Sequence, residues 1–311
     1  MGTDQPFQWI TSARTDVGKV RKVNEDAVLA RPEDGLWVVA DGMGGHSAGD
    51  VASGLIVEEM GEVNVDATLS EVVADVETRL IDVNGKLRDL ASSKNISTIG
   101  STFAGMVISG KHGVCMWVGD SRVYRVRNGD IQQLSQDHAF VEDLIEKGIL
   151  SREDAASHPQ SNLVTRAVGA QEHLKVDLEI FELEHEDTYV LCSDGLDKEV
   201  TEPDIADMAM REDPTALGDE LVREALERGA RDNVTVIAVT VRDPSKPALE
   251  RPSPDMVARA AKELEAKETH ADGDAKTDFG RLANPKSPHL LVDHDDVTVR
   301  HDDLPPEESA Q

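Results

Sequence analysis

Three apolar runs in this chain end on an aspartate beside a glycine. Residues 36–40 lead into Asp41-Gly42, residues 114–118 into Gly119-Asp120, and residues 189–193 into Asp194-Gly195. A fourth run is reversed, with Asp232-Asn233 preceding residues 234–239. If these runs are antiparallel strands, the start of one lies beside the ends of its neighbours and all four carboxylates share one rim. Taken singly, each Asp-Gly is an ordinary turn dipeptide, as Asp34-Gly35 and Asp272-Gly273 read here. Four aspartates at strand ends are a different signal. Carboxylates gathered in this way repel one another unless they take up protons or share cations, and hard oxygen donors suit magnesium or manganese. Metal is the resolution adopted.

Two further segments belong to this chemistry. Arg21-Lys22-Val23-Asn24-Glu25-Asp26 places two acids and a fixed cation just before a strand. By itself it is a solvated turn with an ion pair; on the same rim, Arg21 offers a planar donor fork to a phosphate oxygen. Asp41-Gly42-Met43-Gly44-Gly45-His46 reads as a flexible loop opening a helix, where backbone can approach a ligand closely. No Gly-Lys-Ser or Gly-Lys-Thr follows it, so it is not a nucleotide-binding phosphate loop.

The elements that must position these residues are short β runs and a few helices. Strands are expected over 27–30, 36–40, 101–108, 114–118, 123–126, 131–134, 178–183, 189–192 and 234–241. Asn128-Gly129 between two of them signals a tight hairpin. Apolar residues at helical spacing predict helices over 48–60, 69–90, 205–210 and 217–226. Few helical crossovers separate the strands, so antiparallel pairing and an α+β class are expected, with helices covering sheet faces.

Composition bounds the function. The 311 residues carry 61 acidic and 32 basic side chains, a formal charge of −29, which excludes nucleic-acid binding by bulk charge. The two cysteines, Cys115 and Cys192, sit in apolar runs and supply neither a disulfide framework nor a cysteine zinc site. No stretch is long and apolar enough for a membrane span and no leader pattern opens the chain, so a cytoplasmic location is expected. The residues after 243 hold eight of the 13 prolines and one aromatic, Phe279. Residues 1–243 are therefore expected to form the catalytic domain, and 244–311 an acidic, proline-containing, largely disordered tail. Within that tail, 255–268 has helical spacing and 290–299 an alternating pattern.

With these residues assembled, the sequence resembles the metal-dependent serine/threonine protein phosphatases of type 2C, the PPM family, in its bacterial form. The resemblance runs in order through residues 9–241. It is carried by Thr15-Asp16-Val17-Gly18 with Arg21 and Asn24-Glu25-Asp26, by Val39-Ala40-Asp41-Gly42-Met43-Gly44-Gly45-His46, and by Gly49-Asp50-Val51-Ala52-Ser53. It continues through Gly119-Asp120-Ser121-Arg122, Gln136-Asp137-His138, Leu163-Val164-Thr165-Arg166-Ala167-Val168-Gly169, Cys192-Ser193-Asp194-Gly195-Leu196 and Asp232-Asn233-Val234-Thr235.

The resemblance implies a four-layer α-β-β-α sandwich, two antiparallel sheets flanked by helix pairs, with metals in a cleft at one end. It implies that Asp41 bridges two manganese or magnesium ions with the Gly42 carbonyl beside it, and that Asp194 and Asp232 each bind one of them. Asp120, with Asp194, would hold a third, weaker ion. Glu25 and Asp26 would act through water, and Arg21 would bind the substrate phosphate. Residues 138–166 correspond to a flap over the cleft. Met43 stands where eukaryotic members carry a histidine proposed as general acid; His46 and His138 are read as helix-start and packing residues, and no acid is assigned. The implied reaction is hydrolysis of phosphoserine and phosphothreonine monoesters by in-line attack of a metal-bridging hydroxide. Phosphorylated proteins and a eukaryotic-like Ser/Thr kinase are the expected partners, with no nucleic acid and no membrane. A catalytically dead binding module is disfavoured because every ligand position holds an acid, and a two-metal nuclease because the chain has no basic track for a polyanion.

Overall fold

Strands whose every residue is apolar need cover on both faces, and the chain provides it with four layers. The structure, a computed structural model, describes residues 6–44, 48–155 and 158–251. His46 and the tail segments 255–268 and 290–299 lie outside the described residues.

One sheet has the order β1-β11-β10-β7-β8, built from β1 (Gln8–Asp16), β7 (Arg122–Arg127), β8 (Asp130–Gln133), β10 (Thr188–Cys192) and β11 (Val234–Arg242). The other has the order β2-β3-β5-β6-β9, from β2 (Asp26–Arg31), β3 (Leu36–Gly44), β5 (Phe103–Ser109), β6 (His112–Val118) and β9 (Asp177–Glu182), with β4 (Ile99–Ser101) also paired to β3. Every strand pairing is antiparallel. The period-2 alternation sorts the side chains. Trp37, Val39, Met106 and Trp117 of one sheet meet Tyr189, Leu191, Ile237 and Val239 of the other between the sheets. Leu36, Val38 and Ala40 face outward beneath α1 (Gly49–Gly61) and α2 (Leu69–Lys94). Val190, Cys192, Val234 and Val236 face outward beneath α5 (Asp194–Asp197), α6 (Glu202–Arg211) and α7 (Leu217–Arg228). This is the α-β-β-α sandwich that the resemblance implies.

The helices begin and end on recognisable chemistry. Thr68 and Glu71 form a reciprocal capping box at the start of α2, and Asn95 closes that helix in the left-handed conformation, φ 54°. Val72, Val76, Leu80, Val83 and Leu87 form its buried stripe. Asn128 and Gly129, at φ 55° and 87°, make the expected tight turn between β7 and β8.

The structure differs from the sequence reading in three places. Residues 101–108 are two strands, because β3 changes partner along its length, pairing β5 over residues 36–39 and β4 over 42–44, and the break falls at Thr102. Residues 41–44, expected in a flexible loop, continue β3 for the same reason: β4 supplies their partner. β1 was not expected at all. Its sequence, QWITSARTD, has few apolar residues because it is an edge strand, yet all nine residues pair with β11. Over the flap region, α3 (Phe140–Glu146) and α4 (Arg152–Ala155) pack on each other through Val141, Ile145, Leu150 and Ala155.

Candidate active site

Asp26 opens β2 directly opposite Asp41 on β3, so the antiparallel register places two carboxylates side by side. Asp194 follows β10 as the first residue of α5, and Asp232 precedes β11. These two come from the other sheet, so the acids converge from both halves of the sandwich at one end. Asp41 is held well above the usual carboxylate range by burial and by the charges of Asp26, Asp194, Asp120 and Asp232. Burial likewise pushes Asp26 up to about 6, against the opposing hydrogen bonds of Ser193 and Thr235. Asp120 is pushed up to about 7, by burial and then by the charges of Asp194 and Asp137. The expected gathering of Asp41, Asp120, Asp194 and Asp232 therefore holds, and Asp26 joins it.

Backbone shape makes the gathering possible. A Cβ on Gly42 would lie 2.0 Å from the Gly49 carbonyl oxygen, and one on Gly49 would lie 2.6 Å from Glu25 Oε1. Only glycine lets β3, α1 and the Glu25 segment close on one another here. The Gly42 N–H donates to the Glu25 carbonyl at 3.0 Å. On the far side, a Cβ on Gly195 would meet the Asn233 carbonyl oxygen at 1.9 Å, which fixes the approach of Asp194 to Asp232.

Several polar residues that the sequence reading gave no role hold these acids in place. Asn233, buried, accepts from the Glu25 N–H at 2.8 Å and donates through its amide to the carbonyls of Val17 and Val23 at 2.9 and 3.0 Å. Ser193 and Thr235 hydroxyls each donate to Asp26 Oδ2 at 2.7 Å. The Asp41 N–H donates to Thr102 Oγ1 at 2.9 Å, and Thr102 is hydrogen-bonded to Ser121. The available signal was their place in the sequence: Asn233, Ser193 and Ser121 adjoin rim aspartates, and Thr235 interrupts an apolar strand.

Two cations of the chain sit on these acids. Arg21 Nη2 donates to Asp232 Oδ2 at 2.8 Å, and Lys198 pairs with Asp194 Oδ2. Among the described residues, no three His, Cys, Asp or Glu side chains stand in ready-made ligand geometry. The donor set nevertheless fits a hard divalent cation. Asp26 Oδ1 and Asp194 Oδ1 are buried without a hydrogen-bond partner, and such oxygens are costly unless a ligand meets them.

His138 is committed elsewhere. Its Nδ1 accepts from the Gly119 N–H at 3.0 Å, Nε2 lies 2.8 Å from Asp177 Oδ2, and the ring stacks on Trp117. Burial pushes its pKa down. The packing role expected for it is the role it has. Beside Asp120 and Asp194, a cleft of about 530 Å³ extends beneath α3 and α4, reaching Val141, Ile145 and Arg152. Its floor is Arg122, held by Asp137 at 2.6 Å and Asp197 at 3.0 Å.

Comparison with known proteins adds to the geometry. A family model described as Protein phosphatase 2C matches residues 19–231. A serine/threonine phosphatase, stp, of Listeria welshimeri is 33% identical over 235 residues, 73% of this chain and 93% of the relative. The serine/threonine protein phosphatase PstP of Mycobacterium tuberculosis is 33% identical over 75% of this chain, which spans 45% of that relative's length. Among solved structures, PppA of Pseudomonas aeruginosa superposes with a TM-score of 0.71 at 40% identity, over 75% of this chain and 98% of that one. The catalytic domain of PstP in complex with two manganese ions gives 0.69 at 30% identity, over 76% of this chain and all of that one.

Proposed function

The chain belongs to the protein phosphatase 2C family, and on that premise we propose a role for each acid of the rim. The protein is a metal-dependent serine/threonine protein phosphatase, a hydrolase of phosphate monoesters. Asp41, with the Gly42 carbonyl, Asp194 and Asp232 hold two core divalent ions, and Asp120 with Asp194 holds a third, weaker one. Glu25 and Asp26 orient water around them. The observation that carries this assignment is the convergence of mutually repelling carboxylates, two of whose buried oxygens have no protein partner. When bound, the ions lower the pKa of water toward neutrality and offset the charge of the phosphoryl group. All-oxygen donors accept manganese or magnesium.

The chain's own residues do the rest. Arg21, half exposed beside Asp232, presents its guanidinium fork to the substrate phosphate and orients it. Asn233 fixes the backbone on which Glu25 and Arg21 ride, and the Ser193 and Thr235 hydroxyls occupy one oxygen of Asp26, leaving the other, buried and without a protein partner, for a ligand. With its ring nitrogens engaged by Gly119 and Asp177, His138 is assigned no proton-transfer role. A eukaryotic-like Ser/Thr kinase is the opposing partner this reading assigns, on the family resemblance. A cytoplasmic location fits two free, buried cysteines.

The test is hydrolysis of a phosphothreonine peptide and of p-nitrophenyl phosphate with manganese. Turnover is expected to vanish in chelator and to fall by about 10²–10³ in Asp41→Asn and Asp232→Asn, the equivalent of several kcal/mol of transition-state stabilisation. Arg21→Ala is expected chiefly to raise KM. Equal activity of Asp41→Asn and the parent protein overturns the assignment.

A further inference from the structure

A protein with nearly two acids for every base tends to leave its cations paired. The loop before Glu25 does the reverse. Lys19, Arg21 and Lys22 follow one another with no acid among them, and all three are exposed. The Lys19 N–H donates to the Ala230 carbonyl at 2.9 Å, which brings Arg231, also exposed, to the same rim. Arg21 is engaged by Asp232, whereas the side chains of Lys19, Lys22 and Arg231 have no ion pair among the described residues. Interleaved with these cations are Val20 and Val23, 65% and 44% exposed, two of the eight large apolar side chains exposed among the described residues.

This loop is pinned. The Asn233 amide holds the carbonyls of Val17 and Val23 at its two ends, and Gly18 sits at φ +74° where a Cβ would strike the Asp232 carbonyl oxygen at 2.1 Å. The valines are thus presented on a fixed backbone beside the phosphate-binding arginine, so binding there orders little further chain.

We propose that residues 19–23 together with Arg231 form a docking rim for the substrate segment next to the phosphorylated residue, one that is acidic and carries an aliphatic side chain. The inference rests on the phosphatase reading and deepens it. Charge complementarity names the occupant: elsewhere the field of this protein repels acidic polypeptides, and this rim, beside the site of reaction, reverses it. The valines cover the aliphatic residue, and the cations face the carboxylates on either side of it.

The experiment compares two phosphothreonine peptides of one length, one flanked by aspartates and a leucine, the other by lysines and a serine, with p-nitrophenyl phosphate as a small substrate. The full chain is expected to favour the acidic peptide at least about fivefold in kcat/KM at low salt, the preference shrinking at 0.5 M salt. Lys22→Glu with Arg231→Glu is expected to lose about tenfold on the acidic peptide, and Val20→Ser about threefold, with p-nitrophenyl phosphate turnover unchanged. A fluorescein-labelled acidic peptide, followed by anisotropy, is expected to bind more weakly to the charge-reversed variant even in chelator. Equal use of the two peptides, or parallel losses on peptide and small substrate, overturns the proposal. So does pelleting of the protein with anionic phosphatidylserine vesicles without peptide preference. Absence of p-nitrophenyl phosphate turnover by the parent protein would instead count against the phosphatase reading, leaving the anisotropy result to decide on the rim.

Discussion

Asp26 has one oxygen bound by two hydroxyls and the other by nothing, and burial raises its pKa against the pull of those two hydrogen bonds. With Asp26 pushed up to about 6 and Asp120 to about 7, the metal-free folded protein holds protons that an unfolded chain, with carboxylates near about 4, has released. A raised folded-state value means that the stability contribution is complete below about pH 4 and is lost as pH rises through 6 and 7. In chelator, the melting temperature is expected to be higher at pH 5 than at pH 8, by at least about 2–4 °C, the shift of roughly 1 kcal/mol. Manganese is expected to narrow that difference; a flat profile in chelator contradicts the carboxylate repulsion. Asn233→Ala removes three hydrogen bonds from a buried side chain and is expected to cost about 2–4 kcal/mol, measurable by urea denaturation, along with most of the turnover. The aspartates were legible in the sequence because each stands where an apolar run begins or ends. Asn233, Ser193 and Thr235 were marked only by their place beside rim aspartates or within an apolar strand; what they hold was not legible, since their partners lie up to about two hundred residues away.

At the scale of elements, legibility tracked burial. Strands covered on both faces, such as β3 and β11, are continuous apolar runs that period and length reveal. β1 has a partner on one side only and buries little, so its sequence carries no strand signal, although it supplies Thr15 beneath Asn24 and Thr235. The partner change of β3 at Thr102 was equally invisible, because register is a tertiary property. Its consequence for the site is testable at the glycine pair that lets β3 and α1 touch. Gly42→Ala places a methyl group 2.0 Å from the Gly49 carbonyl oxygen and must push α1 from β3. The variant is expected to lose about 2–4 kcal/mol of stability, and with it the upward melting shift that manganese is expected to give the parent protein. A retained manganese shift would show that the Gly42 carbonyl is not needed.

At the scale of the molecule, the sandwich does not stop at the last strand. Beyond β11, the Asp243 N–H donates to His185 Nδ1, the Leu249 N–H donates to Glu186 Oε1 at 3.0 Å, and Arg251 pairs with Glu186. Composition places the boundary at 243, since residues 244–311 hold eight of the 13 prolines and one aromatic. A chain ending at Asp243 is expected to fold and turn over substrate but to melt about 2–4 °C below one ending at Arg251, the measure of about 1 kcal/mol in that strap; equal melting would place the strap outside the cooperative unit. The ion pair between Arg21 and Asp232 carries a consequence for the order of events. Arg21 spends one nitrogen of its guanidinium on an aspartate that a divalent ion would also claim, so the whole donor fork is free only once something else holds that aspartate. Cation entry is thereby expected to strengthen phosphate capture, and inorganic phosphate should bind metal-stripped protein more weakly than the loaded protein.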